Sequence, residues 1–165
     1  NTGKGYFDYS HFERAPRLYT DAAKERRHTG GGYFSECGAY NYWTYGSSTS
    51  RQPIDYLEGD AVLRAAQELG HSWHRKVVPV YIDNSAFERS LHKGRSKAPR
   101  LNIILRQLFV LSVKHECIFE THWLASKDNV LADALSRGDL SRFKSALGEH
   151  CPGGVHLRRY GVPPI

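Results

Sequence analysis

The sequence predicts a mixed α/β domain: a five-stranded sheet flanked by helices, with three antiparallel strands first and two parallel strands later. Three observations carry this. Short β-prone segments at residues 18–21, 32–35 and 39–45 follow one another with brief connections, as in a meander. The apolar, β-branched run VVPVYI (Val77 to Ile82) lies beyond an intervening helical pattern. From residue 53 onward, helical and strand patterns alternate, which calls for crossovers and parallel pairing.

Each element has a local reason. Leu18, Tyr19 and Thr20 lead into Asp21 as the first strand. The loop His28-Thr29-Gly30-Gly31 turns into the second, Gly32 to Ser35, and AYNYWTY (Ala39 to Tyr45) reads as the third. Pro53 suits the first turn of a helix and Asp55 its N-terminus. Leu57, Ala61, Ala65 and Leu69 then recur every four residues until Gly70 stops the helix. Val77 to Ile82 reads as a buried strand, although Pro79 lacks the N–H that an inner strand uses. Asn84 to His92 forms a short helix. Pro99 opens a long one, with Ile104, Leu105, Leu108, Phe109 and Leu111 as its buried side. Cys117 to Trp123 is the fifth strand, and Asn129 to Arg137 and Asp139 to Leu147 are short helices. Tyr33, Tyr40, Tyr42, Trp43 and Tyr45 are expected to pack the sheet, with stacking on bases as the other use of such rings.

The 165 residues make one domain, large enough to bury roughly 70% of the unfolded surface without disulfide or structural metal. Residues 1–15 read as a lead-in, 16–147 as the compact domain, and 148–165, with four Gly and three Pro, as a tail or linker. A start at Asn1 and no Met anywhere suggest a piece of a larger protein. No stretch approaches the length of a membrane-spanning helix, and NTGKGYFDYS lacks the apolar core of a signal peptide, so no membrane partner is expected. Lys and Arg total 23 against 17 Asp and Glu, a net charge of +6. Such a domain is attracted to polyanions, with nucleic acid first among them, or simply carries a solvated basic surface. Cys37, Cys117 and Cys151 are odd in number and far apart, which fits free thiols in an intracellular setting. His71 and His74 form an HxxH that reads as a surface pair.

Four carboxylates stand where carboxylates are awkward. Asp21 and Asp83 end strands, and open α/β sheets place ligands at the C-terminal ends of strands. The neighbours of Glu58 on its helix face, Val62, Ala65 and Leu69, are apolar, so Glu58 points toward the sheet. Asp133, in NVLADALSR, borders an apolar helix side. Inward carboxylates repel one another and lose solvation, and persist when a cation neutralises them. Hard oxygen ligands without Cys or His favour Mg²⁺ or Mn²⁺ over Zn²⁺. Two such ions about 4 Å apart support phosphodiester hydrolysis. The other reading makes these acids caps and surface charges, with Asp83 capping the helix that follows.

LYTDA, the inward glutamate of LEGDAVLRAA, VYIDNSA and NVLADALSR, in that order, resemble the ribonuclease H domain of retroelement reverse transcriptases. The segment DNSAFERSLHKGRSKAPRLNIILRQLF resembles DIRS-like retrotransposons more than retroviruses, and ADALSR is common in retrotransposon ribonuclease H domains. The resemblance covers about residues 17–138. It implies a ribonuclease H-like fold and endonucleolytic cutting of the RNA strand of an RNA–DNA hybrid during reverse transcription. It implies that Asp21, Glu58, Asp83 and Asp133 hold two Mg²⁺, for which Mn²⁺ can substitute. Asp21 and Asp83 would contact both ions, Glu58 one and Asp133 the other. A covalently linked reverse transcriptase polymerase would be the partner, with residues 1–15 running out of it. The isolated domain would be a monomer acting in cytoplasm or nucleus.

Asn84 and Ser85 are implied contacts to the minor groove, where 2′-hydroxyls mark RNA, with a plain helix cap as the alternative. Lys93, Arg95, Lys97 and Arg100 suit phosphates, or form a solvated loop. Two features depart from the family. The eight residues from Lys93 to Arg100 leave no room for a basic helical protrusion, and the loop LASKDN (Leu124 to Asn129) has no histidine. Among rival readings, integrase cores place their glutamate last and proofreading exonucleases begin with Asp-x-Glu, whereas here the glutamate is second and the run is Asp21-Ala22-Ala23. A non-catalytic, connection-type domain that binds hybrid or a polymerase would keep the fold and lose acids.

Overall fold

Local sequence builds the sheet from the hairpins outward. In the computed structural model, which describes residues 9–162, β2 (Leu18–Lys24), β3 (Thr29–Ser35) and β4 (Ala39–Thr44) form the antiparallel meander. Helix α1 (Ile54–Leu69) then crosses the sheet and returns the chain to β5 (Lys76–Ile82), parallel to β2. Helices α2 (Ser85–Lys93) and α3 (Pro99–His115) lead to β6 (Ile118–Trp123), parallel to β5, and α4 (Val130–Ser136) and α5 (Leu140–His150) follow.

Among the described residues the sheet has seven strands rather than five. The additions are two-residue pairings too short to leave a pattern in sequence: β1 (Glu13–Arg14) beside β5 and β7 (Arg158–Arg159) beside β4. The stretch read as a Gly/Pro-rich tail thus contributes an edge strand. Arg159 fixes it there, with Nη2 donating to the Tyr42 carbonyl at 3.1 Å and its guanidinium 3.9 Å from the Tyr42 ring centroid. Pro79 sits in an inner strand after all. Arg14 pairs with Val77 and Leu18 with Val80, so the β1–β2 side carries one extra residue opposite Pro79. A bulge is where a strand tolerates a missing N–H.

Alternation along β3 divides the core between the two faces of the sheet. Tyr33 joins Leu18, Trp43, Val78, Val80 and Ile82 beneath α1 and α3, while Phe34 packs with Leu131, Leu135 and Phe143 beneath α4 and α5. The rings of β3 and β4 therefore serve packing, as expected. Phe109 does not. It is 68% exposed, because the buried stripe of α3 runs through Leu101, Ile104, Leu105 and Leu108 and the next position turns outward.

The glycines of β3 have a steric reason. A Cβ at Gly32 would lie 2.7 Å from Leu135 Cβ, and one at Gly30 would lie 2.5 Å from the Ser136 carbonyl. Their absence lets α4 lie directly on the strand, and α4 carries Asp133. Gly32→Ala is expected to destabilise the protein by about 1–3 kcal/mol through overpacking, measured by urea or thermal unfolding. Gly153→Ala, where a Cβ meets nothing within 4 Å, should change stability by under about 0.5 kcal/mol.

Candidate functional site

Asp21 does not end its strand, because β2 continues to Lys24. Only the parallel pairing ends there: Thr20 faces Ile82, and β5 stops while β2 runs on into its hairpin. Asp21 and Asp83 are thus the next positions on adjacent chains. Glu58 comes down from α1, whose inner face also buries Leu57, Ala61, Val62 and Ala65. One carboxylate oxygen from each of Asp21, Glu58 and Asp83 lies within 4.8 Å of the other two. Among the described residues this is the one group of three or more acidic, His or Cys side chains close enough to share an ion. His71 and His74 are both exposed and outside it.

Asp133 lines the same cleft of about 490 Å³, together with Asn84, Ser126 and Arg137. It is not drawn into the three-acid cluster. Arg137 Nε donates to its Oδ1 at 3.0 Å, and Arg142 Nη1 donates to its Oδ2 at 2.5 Å.

The supports of the site were not legible as such. Ser136 Oγ donates to Asp21 Oδ2 at 2.6 Å, and Ser126 Oγ donates to Asp83 Oδ2 at 3.1 Å. Asn129 Nδ2 donates to the Thr20 carbonyl at 2.9 Å. Helix α4 is thereby tied to β2 at both ends, through Thr20 and through Asp21 itself. Trp123 Nε1 holds the Asp83 carbonyl at 3.0 Å. Short polar residues of this kind give no periodic signal, and the groups they hold are far away in sequence.

The cluster is electrostatically uncompensated. Asp21 and Glu58 are each 3% exposed, and Glu58 Oε2 has no hydrogen-bond partner. Burial, followed by the charge of Asp83, pushes the Asp21 carboxyl up to about 8. Burial, followed by the charges of Asp21 and Asp83, raises Glu58 well above the ordinary range. A buried carboxylate oxygen with no donor, beside two more carboxylates, is the donor set of a hard divalent cation. The residues present fit such an ion.

The predicted substrate contacts fall in two places. Asn84 is on the rim of the acidic cleft and also caps α2, its Oδ1 accepting from Phe87 N at 2.8 Å. Ser85 is exposed beside it. Lys93, Arg95 and Lys97 line a separate concavity of about 430 Å³, which Arg89 joins from one turn earlier on α2. Its i, i+4 relation to Lys93 could have disclosed it. Arg100 does not belong there. It donates to both carboxylate oxygens of Asp55, at 3.1 and 2.8 Å, and ties α3 to the start of α1.

Neither a protein-family model nor a curated protein matches the sequence. Solved structures do. RNase H1 of the halophilic archaeon Halobacterium salinarum matches with a TM-score of 0.61 at 19% identity, over 76% of this chain and 97% of that one. The N-terminal RNase H domain of a Mycobacterium tuberculosis protein gives 0.60 at 16% identity, over 80% and 99%. LC11-RNase H1, isolated from compost and solved in complex with an RNA/DNA hybrid, gives 0.59 at 19% identity, over 79% and 98%. At these identities the likeness is one of fold: the chain has the mixed sheet and flanking helices of ribonuclease H structures. No helix of the described residues is long and apolar enough to cross a membrane.

The pH dependence follows from the raised carboxyls. In the cation-free folded protein Asp21 and Glu58 retain protons that the unfolded chain gives up in the ordinary acidic range. Their contribution to stability is therefore complete below that range and is lost as pH rises through the raised values, about 8 for Asp21 and well above the ordinary range for Glu58. Glu58→Gln, neutral and of the same shape, should melt several degrees above the wild type in EDTA at alkaline pH. The difference should close on acidification, as read from thermal unfolding across the pH range.

Proposed function

We propose that the chain hydrolyses the RNA strand of RNA–DNA hybrids endonucleolytically, with Asp21, Glu58, Asp83 and Asp133 as its catalytic carboxylates. The observation that carries this reading is the convergence of three acids around an unpartnered buried oxygen, in a basic domain of ribonuclease H fold. Two Mg²⁺, or Mn²⁺ in their place, are the proposed cofactors. When bound, they would supply the charge neutralisation and Lewis acidity that phosphodiester hydrolysis requires.

The protein's own residues prepare that state. Asp21 is held by Ser136 and Asp83 by Ser126, so each keeps one oxygen turned away from its serine. Glu58 arrives on a helix whose packing fixes its direction. Such fixed groups need little rearrangement when charge develops at a phosphate. Asn84 and Ser85 are proposed to touch the minor-groove side of the hybrid, and Lys93, Arg95 and Lys97, with Arg89, to bind backbone phosphates. The resemblance to DIRS-like retroelements supports a role in reverse transcription beside a covalently linked polymerase. The LC11 enzyme, solved with an RNA/DNA hybrid, supports the substrate class.

A hybrid labelled on its RNA strand tests this. Wild type with Mg²⁺ or Mn²⁺ should cut the RNA and leave RNA–RNA and DNA–DNA duplexes intact, and Asp83→Asn should abolish detectable cutting. Hybrid binding without cutting would instead favour a connection-type binding module. Asn84→Ala separates its two roles. Loss of the cap costs about 1 kcal/mol of stability, and any fall in kcat/KM beyond what the folded fraction explains reports contact with substrate. Joint replacement of Lys93, Arg95 and Lys97 by Ala should raise KM. It should also flatten the salt dependence of binding by about one unit of slope for each phosphate that the variant no longer neutralises.

A further inference from the structure

The four carboxylates of the cleft are not equivalent. Glu58 has an oxygen with no donor, and Asp21 and Asp83 each accept from one hydroxyl. Both oxygens of Asp133 are held by guanidinium groups, Oδ1 by Arg137 and Oδ2 by Arg142. Arg137 itself lines the cleft, at the end of α4, and Glu25 holds its other side from the β2–β3 turn. Arg142 reaches Asp133 from the first turn of α5, outside the cleft lining.

These contacts divide the cleft into two electrostatic halves. Around Asp21, Glu58 and Asp83 three carboxyl groups crowd together, with hydroxyls but no guanidinium bound to them. Around Asp133 two positive charges already neutralise the carboxylate. A divalent cation entering this second half meets repulsion from the guanidiniums before it gains an oxygen. The side chains of Arg137 and Asp133 are 44% and 15% exposed, so the guanidinium is open to solvent on its outer side and can be drawn off the carboxylate. A phosphate, which guanidinium binds bidentately, is the group best suited to draw Arg137 away.

We propose that Arg137 is a positioning residue that latches Asp133, so that the cation-free cleft takes one divalent ion at Asp21, Glu58 and Asp83, and a second only as Arg137 gives up Asp133. The inference rests on the catalytic reading of the cleft and adds an order of loading to it. It places the coupling in one side chain: what releases Arg137 completes the site.

Mn²⁺ binding to the substrate-free protein at low ionic strength, followed by electron paramagnetic resonance of the free ion and by calorimetry, tests the latch without reference to activity. Wild type should show a first ion and a second bound at least about tenfold more weakly. Arg137→Ala should tighten the second step by about threefold or more and leave the first within about twofold. Arg137→Lys, which keeps the charge, should stay close to wild type. Arg142→Ala removes the other guanidinium and should tighten the same step, and it serves where Arg137→Ala fails to fold by circular dichroism. Two equal sites in the wild type, or a second step unchanged in the folded Arg137→Ala protein (in Arg142→Ala where Arg137→Ala does not fold), would overturn the latch. Absence of Mn²⁺ binding in every variant would overturn the catalytic reading together with it.

Discussion

Three carboxylates closing on one another at the edge of a hydrophobic core are the constraint around which the rest of this molecule is arranged. Two of the three are almost fully buried, and one oxygen of Glu58 has no donor at all. Such an arrangement opposes folding unless protons or cations offset it. The fold tolerates it because each acid is carried by an element fixed for other reasons. β2 is paired on both sides, α1 buries an apolar face, and β5 is an inner strand. The glycines of β3 admit α4 against the sheet, and Asn129 and Ser136 tie that helix to β2. Packing supplies the position, and the site draws on part of the stability that packing provides.

The basic residues sort by the same logic. Net charge alone marks the domain as attractive to polyanions, yet its arginines do different work. Arg100 joins two helix starts through Asp55, Arg159 pins an edge strand over Tyr42, and Arg137 and Arg142 hold Asp133. Arg89, Lys93, Arg95 and Lys97 gather instead around one concavity on α2 and the loop after it. Under the proposed reading, a polyanion's phosphates would meet cations there without dismantling any of those structural contacts.

Much of this was legible in sequence because it rests on period and punctuation. The spacing of Leu57, Ala61, Ala65 and Leu69 disclosed both α1 and the inward aim of Glu58. The run VVPVYI disclosed β5 in spite of Pro79, whose tolerance depends on a bulge in a neighbouring strand that sequence does not display. What was not legible depends on pairings at a distance. The two-residue strands β1 and β7 have no pattern of their own. Asp21 reads as a strand end because the hairpin's overrun past β5 is a property of two strands together. Phe109 reads as core on hydrophobicity, and the turn of α3 exposes it. The serines that hold Asp21 and Asp83, and the arginines that hold Asp133, are ordinary surface-type residues until the fold brings them to the cleft.

The central claim is that Asp21 and Glu58 are held as an unbalanced buried pair awaiting a divalent cation. Carbon-13 NMR titration of the side-chain carboxyls, with and without Mg²⁺, measures this directly. Without the ion, Asp21 and Glu58 should titrate far above ordinary carboxyls, with Asp21 near 8, and saturating Mg²⁺ should bring both down into or below the ordinary acidic range. Ordinary titration of both groups in the absence of Mg²⁺, or raised values that Mg²⁺ leaves unmoved, would contradict the account.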